Sequence, residues 1–251
     1  MIGAHAAALA DQLIAMADDE LVLGHRDSEW TGHAPILEED IAFANLAQDE
    51  LGHAVAWYGL VHDLRGDVAD HLVFFREPEQ YRNVQLVELP NGDWAFSMLR
   101  QFLFDAAERA RLPLLAQSAF GPLAATAAKI RTEELYHDRH TRAWVKRLAQ
   151  GTEESHNRMQ RALNAAWPLA FQLFNPLPGE AALTRAGLIP AAAAVQMAWL
   201  DDVGPFLQNI GLEIPVGDPP TLERSRHSEY LAALLNEMQS VARTEEPDVP
   251  W

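Results

Sequence analysis

Two pairs of residues carry the chemical interest of this sequence: Glu50 with His53, and Glu134 with His137. A Glu-x-x-His step in a helix sets both side chains on one face about a turn apart, so a carboxylate oxygen and an imidazole nitrogen can share one metal ion. A dinuclear site needs two such motifs and one further carboxylate from each of two other helices. Glu20 and Asp105 are candidates for those places. Glu20 precedes Glu50 by 30 residues and Asp105 precedes Glu134 by 29, so two antiparallel hairpins would bring all six residues to a similar height. Glu108, one turn beyond Asp105, competes with it, because the face on which Asp105 lies is less clearly defined.

Spacing alone is weak, since a chain of this composition contains roughly one Glu-x-x-His by chance. A third copy, Glu153 with His156, follows Gly151-Thr152 at the start of a helix, where an acid near the positive helix end is ordinary. Placement distinguishes the other two. Glu50 and His53 interrupt an apolar stripe between Leu46 and Trp57, and Glu134 and His137 interrupt one between Ile130 and Thr141. A buried carboxylate is costly unless paired. A metal ion provides the pairing; a closed polar network with histidinium or arginine is the alternative. The sequence has no cysteine, which excludes thiolate metal sites, iron-sulfur clusters and disulfides together. Oxygen-rich ligation with two histidines suits iron or manganese.

The elements that must position these residues are helical. Leu9, Leu13, Met16, Glu20 and Leu23 form the stripe of a first helix, and the glycines and proline of Gly24 to Pro35 predict a connection. A second stripe runs Phe43, Leu46, Trp57, Leu60 and Leu64. Residues 67 to 93 read as a long crossover with no assignable element, a third helix spans about 93 to 119, and a fourth about 122 to 149. Thr152 caps a fifth helix to about 174, and two more lie near 190 to 209 and 221 to 243. The expectation is one all-α domain over 1-251: a four-helix bundle at about 4-150, with additional helices at about 152-243.

Of the remaining features, His25, His33, His62, His71 and His140 fall in predicted connections or on solvent faces. The tryptophans at 30, 57, 94, 144, 167 and 199 read as core or interface anchors. Arg139, Arg142, Lys146 and Arg147 read as a solvated helix face. A formal charge of -17 over 251 residues argues against attraction to nucleic acid or to an anionic membrane. The N-terminal segment lacks the basic start of a signal peptide, and no apolar run is long enough to span a bilayer, so a cytoplasmic protein is expected.

Three stretches, LVLGHRDSEWTGHAPILEEDIAFANLAQDELGH at 21 to 53, FFREPEQYRNVQLVELPNGDWAFSMLRQFLFDA at 74 to 106 and KIRTEELYHDRHTRAWVKRLAQGTEES at 129 to 155, resemble the C subunit of the multicomponent ring epoxidase that acts on phenylacetyl-coenzyme A. The resemblance implies a ferritin-like fold, a heteromer with a related catalytic A subunit that carries the di-iron centre, and contact with the other epoxidase components. It implies a supporting role for this chain and leaves room for a homodimer when the A subunit is absent. Structural C subunits of this kind have lost several ligand positions. Here Glu20, Glu50, His53, Asp105, Glu134 and His137 are all present, which predicts a retained dinuclear site, while aspartate in place of glutamate at 105 predicts that the site does not support turnover.

Overall fold

The computed structural model describes residues 2–244, among which there are ten α-helices and no strand. They are α1 (Ala6–Ser28), α2 (Leu37–Arg65), α3 (Ala69–Phe74), α4 (Gln85–Glu88), α5 (Trp94–Leu115), α6 (Gly121–Ala149), α7 (Glu153–Ala170), α8 (Glu180–Arg185), α9 (Ala192–Asn209) and α10 (Glu229–Gln239). α1 packs along α2 and α5 along α6, so two hairpins form the expected ferritin-like bundle. α7 and α9 lie against α5, and α4 and α8 against α1.

Local chemistry sets many of the ends. Asp93 accepts from the Phe96 amide at 3.0 Å to start α5, and Thr152 accepts from the Ser155 amide at 3.1 Å to start α7. Gly66 closes α2 at φ 80°, a left-handed conformation that suits glycine.

The four bundle helices divide by burial. α1 and α5 are enclosed on most sides, whereas α2 and α6 keep one face in solvent. Enclosure is why α1 and α5 carry so many buried charges. Asp18 pairs with Arg76, Asp19 with Arg224 at 2.8 Å, and Asp27 with Arg100 at 3.2 Å. The first two pairs staple the crossover and the C-terminal segment to α1, and the third ties α1 to α5. The Arg76 guanidinium also lies over the Tyr81 ring, 4.1 Å from its centre, and Arg224 also donates to the Arg82 carbonyl at 2.9 Å.

Four stretches differ from expectation. The predicted connection beginning at Gly24 is still helix, because α1 continues to Ser28. Gly24 is there for close approach: a Cβ would stand 3.0 Å from the Glu50 Cβ and 3.1 Å from the Ala47 carbonyl oxygen. The crossover contains α3, a 3-10 turn at Pro78–Gln80 and α4. The last helix starts at Glu229, not near 221, since Arg224 and His227 are drawn inward to Asp19 and Glu88 and Ser228 caps the helix by accepting from the Tyr230 amide. The fifth predicted helix also ends earlier in α form, at Ala170, and tightens to 3-10 geometry over Phe171–Phe174.

Candidate metal centre

Glu20 on α1, Glu50 and His53 on α2, Asp105 on α5, and Glu134 and His137 on α6 meet in the middle of the bundle, each no more than 2% exposed. His53 Nδ1 lies 3.4 Å from Glu134 Oε1, 3.6 Å from Glu20 Oε2 and 3.8 Å from Glu50 Oε2. His137 Nδ1 lies 3.3 Å from Glu134 Oε1 and 3.5 Å from Glu50 Oε1. Donor atoms of Glu20, Glu50, His53 and Glu134 all fall within 4.8 Å of one another, and so do those of Glu50, Asp105 and His137. Glu50 belongs to both groups. Glu108 belongs to neither, because its carboxylate is turned to Arg111.

Each imidazole is oriented from outside. His53 Nε2 meets Glu133 Oε2 at 2.9 Å, and His137 Nε2 meets Asp49 Oδ2 at 3.2 Å. The two contacts cross between hairpins, since Glu133 sits beside Glu134 on α6 and Asp49 beside Glu50 on α2. With Nε2 donating outward, Nδ1 presents a lone pair to the centre, the arrangement in which a carboxylate fixes a metal-binding histidine. The inward atoms have no hydrogen-bond partner: His53 Nδ1, His137 Nδ1, Glu20 Oε2, Glu50 Oε2 and both oxygens of Glu134. Unpaired buried polar atoms are expensive, and here they converge on one place. This donor set fits a metal ion.

Proton affinities support the same reading. Burial, reinforced by the neighbouring Glu50, pushes Glu20 well above the ordinary carboxylate range, and burial with Glu134 does the same to Asp105. Burial alone would also raise Glu50, but Glu20, His137 and His53 outweigh it and hold Glu50 well below that range. Burial would lower both histidines; the surrounding carboxylates overcome it and hold them far above the usual imidazole range. Without a cation, protons balance the centre, and a bound cation displaces them.

Several neighbours of the centre had no counterpart in the motifs. Asp49 and Glu133 are one residue before each motif glutamate, so the legible signal was an acidic pair ahead of x-x-His. Gln101 donates from Nε2 to Glu50 Oε1 at 2.6 Å and to Asp105 Oδ1 at 2.8 Å, and Thr141 donates to Asp105 Oδ2 at 2.8 Å. No spacing rule points to either residue.

Two outlying assignments are corrected. His140 is not on a free solvent face: it is partly buried, stacks on Tyr136 and meets Glu39 at 3.0 Å. Arg142 is likewise held, between Asp138 at 2.7 Å and Asp202, with its guanidinium 4.9 Å from the Phe206 ring centre. Arg139, Lys146 and Arg147 are exposed, as expected. His156 receives its partner locally, Nδ1 lying 2.8 Å from the Ala149 carbonyl oxygen at the start of α7, away from the centre.

Two Glu-x-x-His helices and two carboxylate helices around a buried, cation-ready centre define a ferritin-like carboxylate bundle. The chain belongs to the family described as phenylacetic acid catabolic protein, whose family model matches residues 1–251. It is similar to the C subunit of the 1,2-phenylacetyl-CoA epoxidase of Escherichia coli (strain K12), with 35% identity over 233 residues, 92% of this chain and 94% of that protein. The A subunit of the same epoxidase is 24% identical over 226 residues, 87% of this chain and 72% of that protein. No described helix is long and apolar enough to cross a membrane.

Proposed function

We propose that this chain is the structural, C-type subunit of a phenylacetyl-coenzyme A 1,2-epoxidase in aerobic phenylacetate catabolism, a single-domain cytoplasmic protein that supports a catalytic A-type subunit. The observation that carries this reading is the near end-to-end similarity to an epoxidase C subunit, fuller and closer than the similarity to its A-type counterpart. A surface feature favours it as well. Leu37, Ile41, Leu51 and Val55 on the outer side of α2 are 70%, 57%, 36% and 67% exposed, an apolar stripe opposite the one that faces the core. Beside it a groove of about 920 Å³ runs between α2 and α6, lined by Gly52, Val55, Gly59, Ala125 and Lys129 and reaching Glu133.

The same reading gives the centre a retained metal site built on the dinuclear carboxylate pattern, for iron or manganese, with its ligands drawn from Glu20, Glu50, His53, Asp105, Glu134 and His137. Bound iron would supply redox chemistry toward dioxygen. The residues of this chain bind and charge-balance the cation, Asp49 and Glu133 orient the imidazoles, and the apolar layers around α1 and α5 exclude water. Completeness of the six-residue set favours a second reading, in which this chain is itself a di-iron oxygenase.

One experiment separates the two. The chain is supplied with reductase and phenylacetyl-coenzyme A, alone and with an A-type subunit, and epoxide is followed by mass spectrometry. The structural reading expects product only with the A-type subunit present and co-elution of the pair by size exclusion with light scattering. Turnover by the isolated chain that Glu134→Ala stops would establish the second reading instead.

A further inference from the structure

The two halves of the centre are not equivalent. On one side Glu20, Glu50, His53 and Glu134 each contribute at least one buried donor atom with no hydrogen-bond partner. On the other side, formed by Glu50, Asp105 and His137, only the His137 Nδ1 and the Glu50 Oε2 are unpartnered. Both Asp105 oxygens already accept hydrogen bonds, one from Gln101 and one from Thr141, and the Gln101 amide also reaches Glu50 Oε1.

From this we infer that the centre takes a single cation on the Glu20–Glu50–His53–Glu134 side, and that Gln101 closes the Asp105 side to a second. The inference rests on the reading that the centre holds metal. An amide NH2 bridging two carboxylates does part of what a cation does there: it gives each oxygen a hydrogen-bond donor in a buried setting. It is also a poor neighbour for a metal, because amide nitrogen has no free lone pair and its hydrogens carry positive charge. Turning the amide over would bring Gln101 Oε1 against two carboxylate oxygens, so Glu50 and Asp105 fix its orientation. Gln101 Oε1 is itself buried and unpartnered, which is the cost this orientation carries. Gln101 is fully buried, so the amide has no route to solvent as an alternative.

The test uses Mn(II). Metal-free full-length chain is dialysed against a Mn(II) series, bound metal is counted by elemental analysis, and electron paramagnetic resonance reports whether the ions are magnetically coupled. Wild type should bind one ion tightly, with the six-line spectrum of isolated Mn(II). Gln101→Glu, which replaces the donor by a ligand, and Gln101→Leu, which removes the donor without adding charge, should each bind a second ion at least about tenfold more tightly than wild type, a difference of about 1.4 kcal/mol, and show a coupled spectrum. Circular dichroism checks that each variant is folded, and the wild-type stoichiometry stands as a test even if one variant is not. Two tight, coupled ions in wild type would overturn the inference while leaving the metal reading intact, as would folded variants that still hold one. No uptake by any of the three proteins would overturn the metal reading itself.

Discussion

Glu50 and His137 come from different hairpins, and each is held at the centre by contacts that cross between them. Replacing both by alanine should abolish metal uptake while leaving the helical circular dichroism largely unchanged, because metal supports folding only when bound and the apolar stripes form a core of their own. Unchanged metal stoichiometry in the double variant would rule out this ligand set. The proton affinities set the pH dependence. Glu20, Asp105, His53 and His137 are all raised in the cation-free centre, so a metal must expel protons to bind. Affinity should therefore rise with pH and fall on acidification. Calorimetry in two buffers of different ionisation enthalpy would read the released protons directly, and a binding enthalpy independent of buffer would contradict the assignment.

At the scale of elements, the buried acids of α1 do more than line the centre. Asp18, Asp19 and Glu20 are consecutive, so they leave the helix about 100° apart, and each finds a different partner: Arg76, Arg224 and the centre. Arg224 is the only one of these partners drawn from the C-terminal third of the chain. Arg224→Ala should destabilise the protein by about 3–5 kcal/mol, since it leaves Asp19 buried without its cation, and should loosen the segment before α10. Chemical denaturation would give the first effect and hydrogen exchange at residues 222–228 the second. Gly24 gives a complementary case. Gly24→Val would push α1 away from α2 beside Glu50, and a loss of about 1–3 kcal/mol is expected from overpacking, measured by thermal unfolding.

The whole molecule is lopsided. α4 and α8 lie against α1, α7 and α9 against α5, α10 against α4 and α3, and α3 against α2, while the outer side of α2 keeps its apolar stripe exposed. A soluble helix normally shows one apolar face, so a second one marks a place where something else packs. Val55→Asp together with Ile41→Asp should leave the isolated chain folded, because both positions are more than half exposed, and should weaken its complex with an A-type subunit by at least about tenfold, as desolvating two new charges at an interface core costs several kcal/mol. Co-elution of the variant pair as tightly as wild type would place the interface elsewhere.

The bundle and its Glu-x-x-His motifs were legible in the sequence because both depend on local periodicity. A helix states its face every three to four residues, and Glu50, His53, Glu134 and His137 stood out by occupying positions where leucines belong. The nearly equal offsets of Glu20 and Asp105 needed only the assumption of two hairpins. What tertiary structure decided was every matter of partnership at long range. Asp105 and Glu108 lie one turn apart and were equivalent to a pattern; only the fold turns Glu108 to Arg111 and Asp105 to the centre. Gln101 and Thr141 look like ordinary helix residues until α2, α5 and α6 converge on them. The crossover at 67 to 93 has little periodicity of its own, since Asp18, Asp19 and Arg26 on α1 hold it in place. Periodic burial is written along a chain, but which buried charge meets which depends on helices brought together from 30 to 200 residues apart, and that information exists only in the folded molecule.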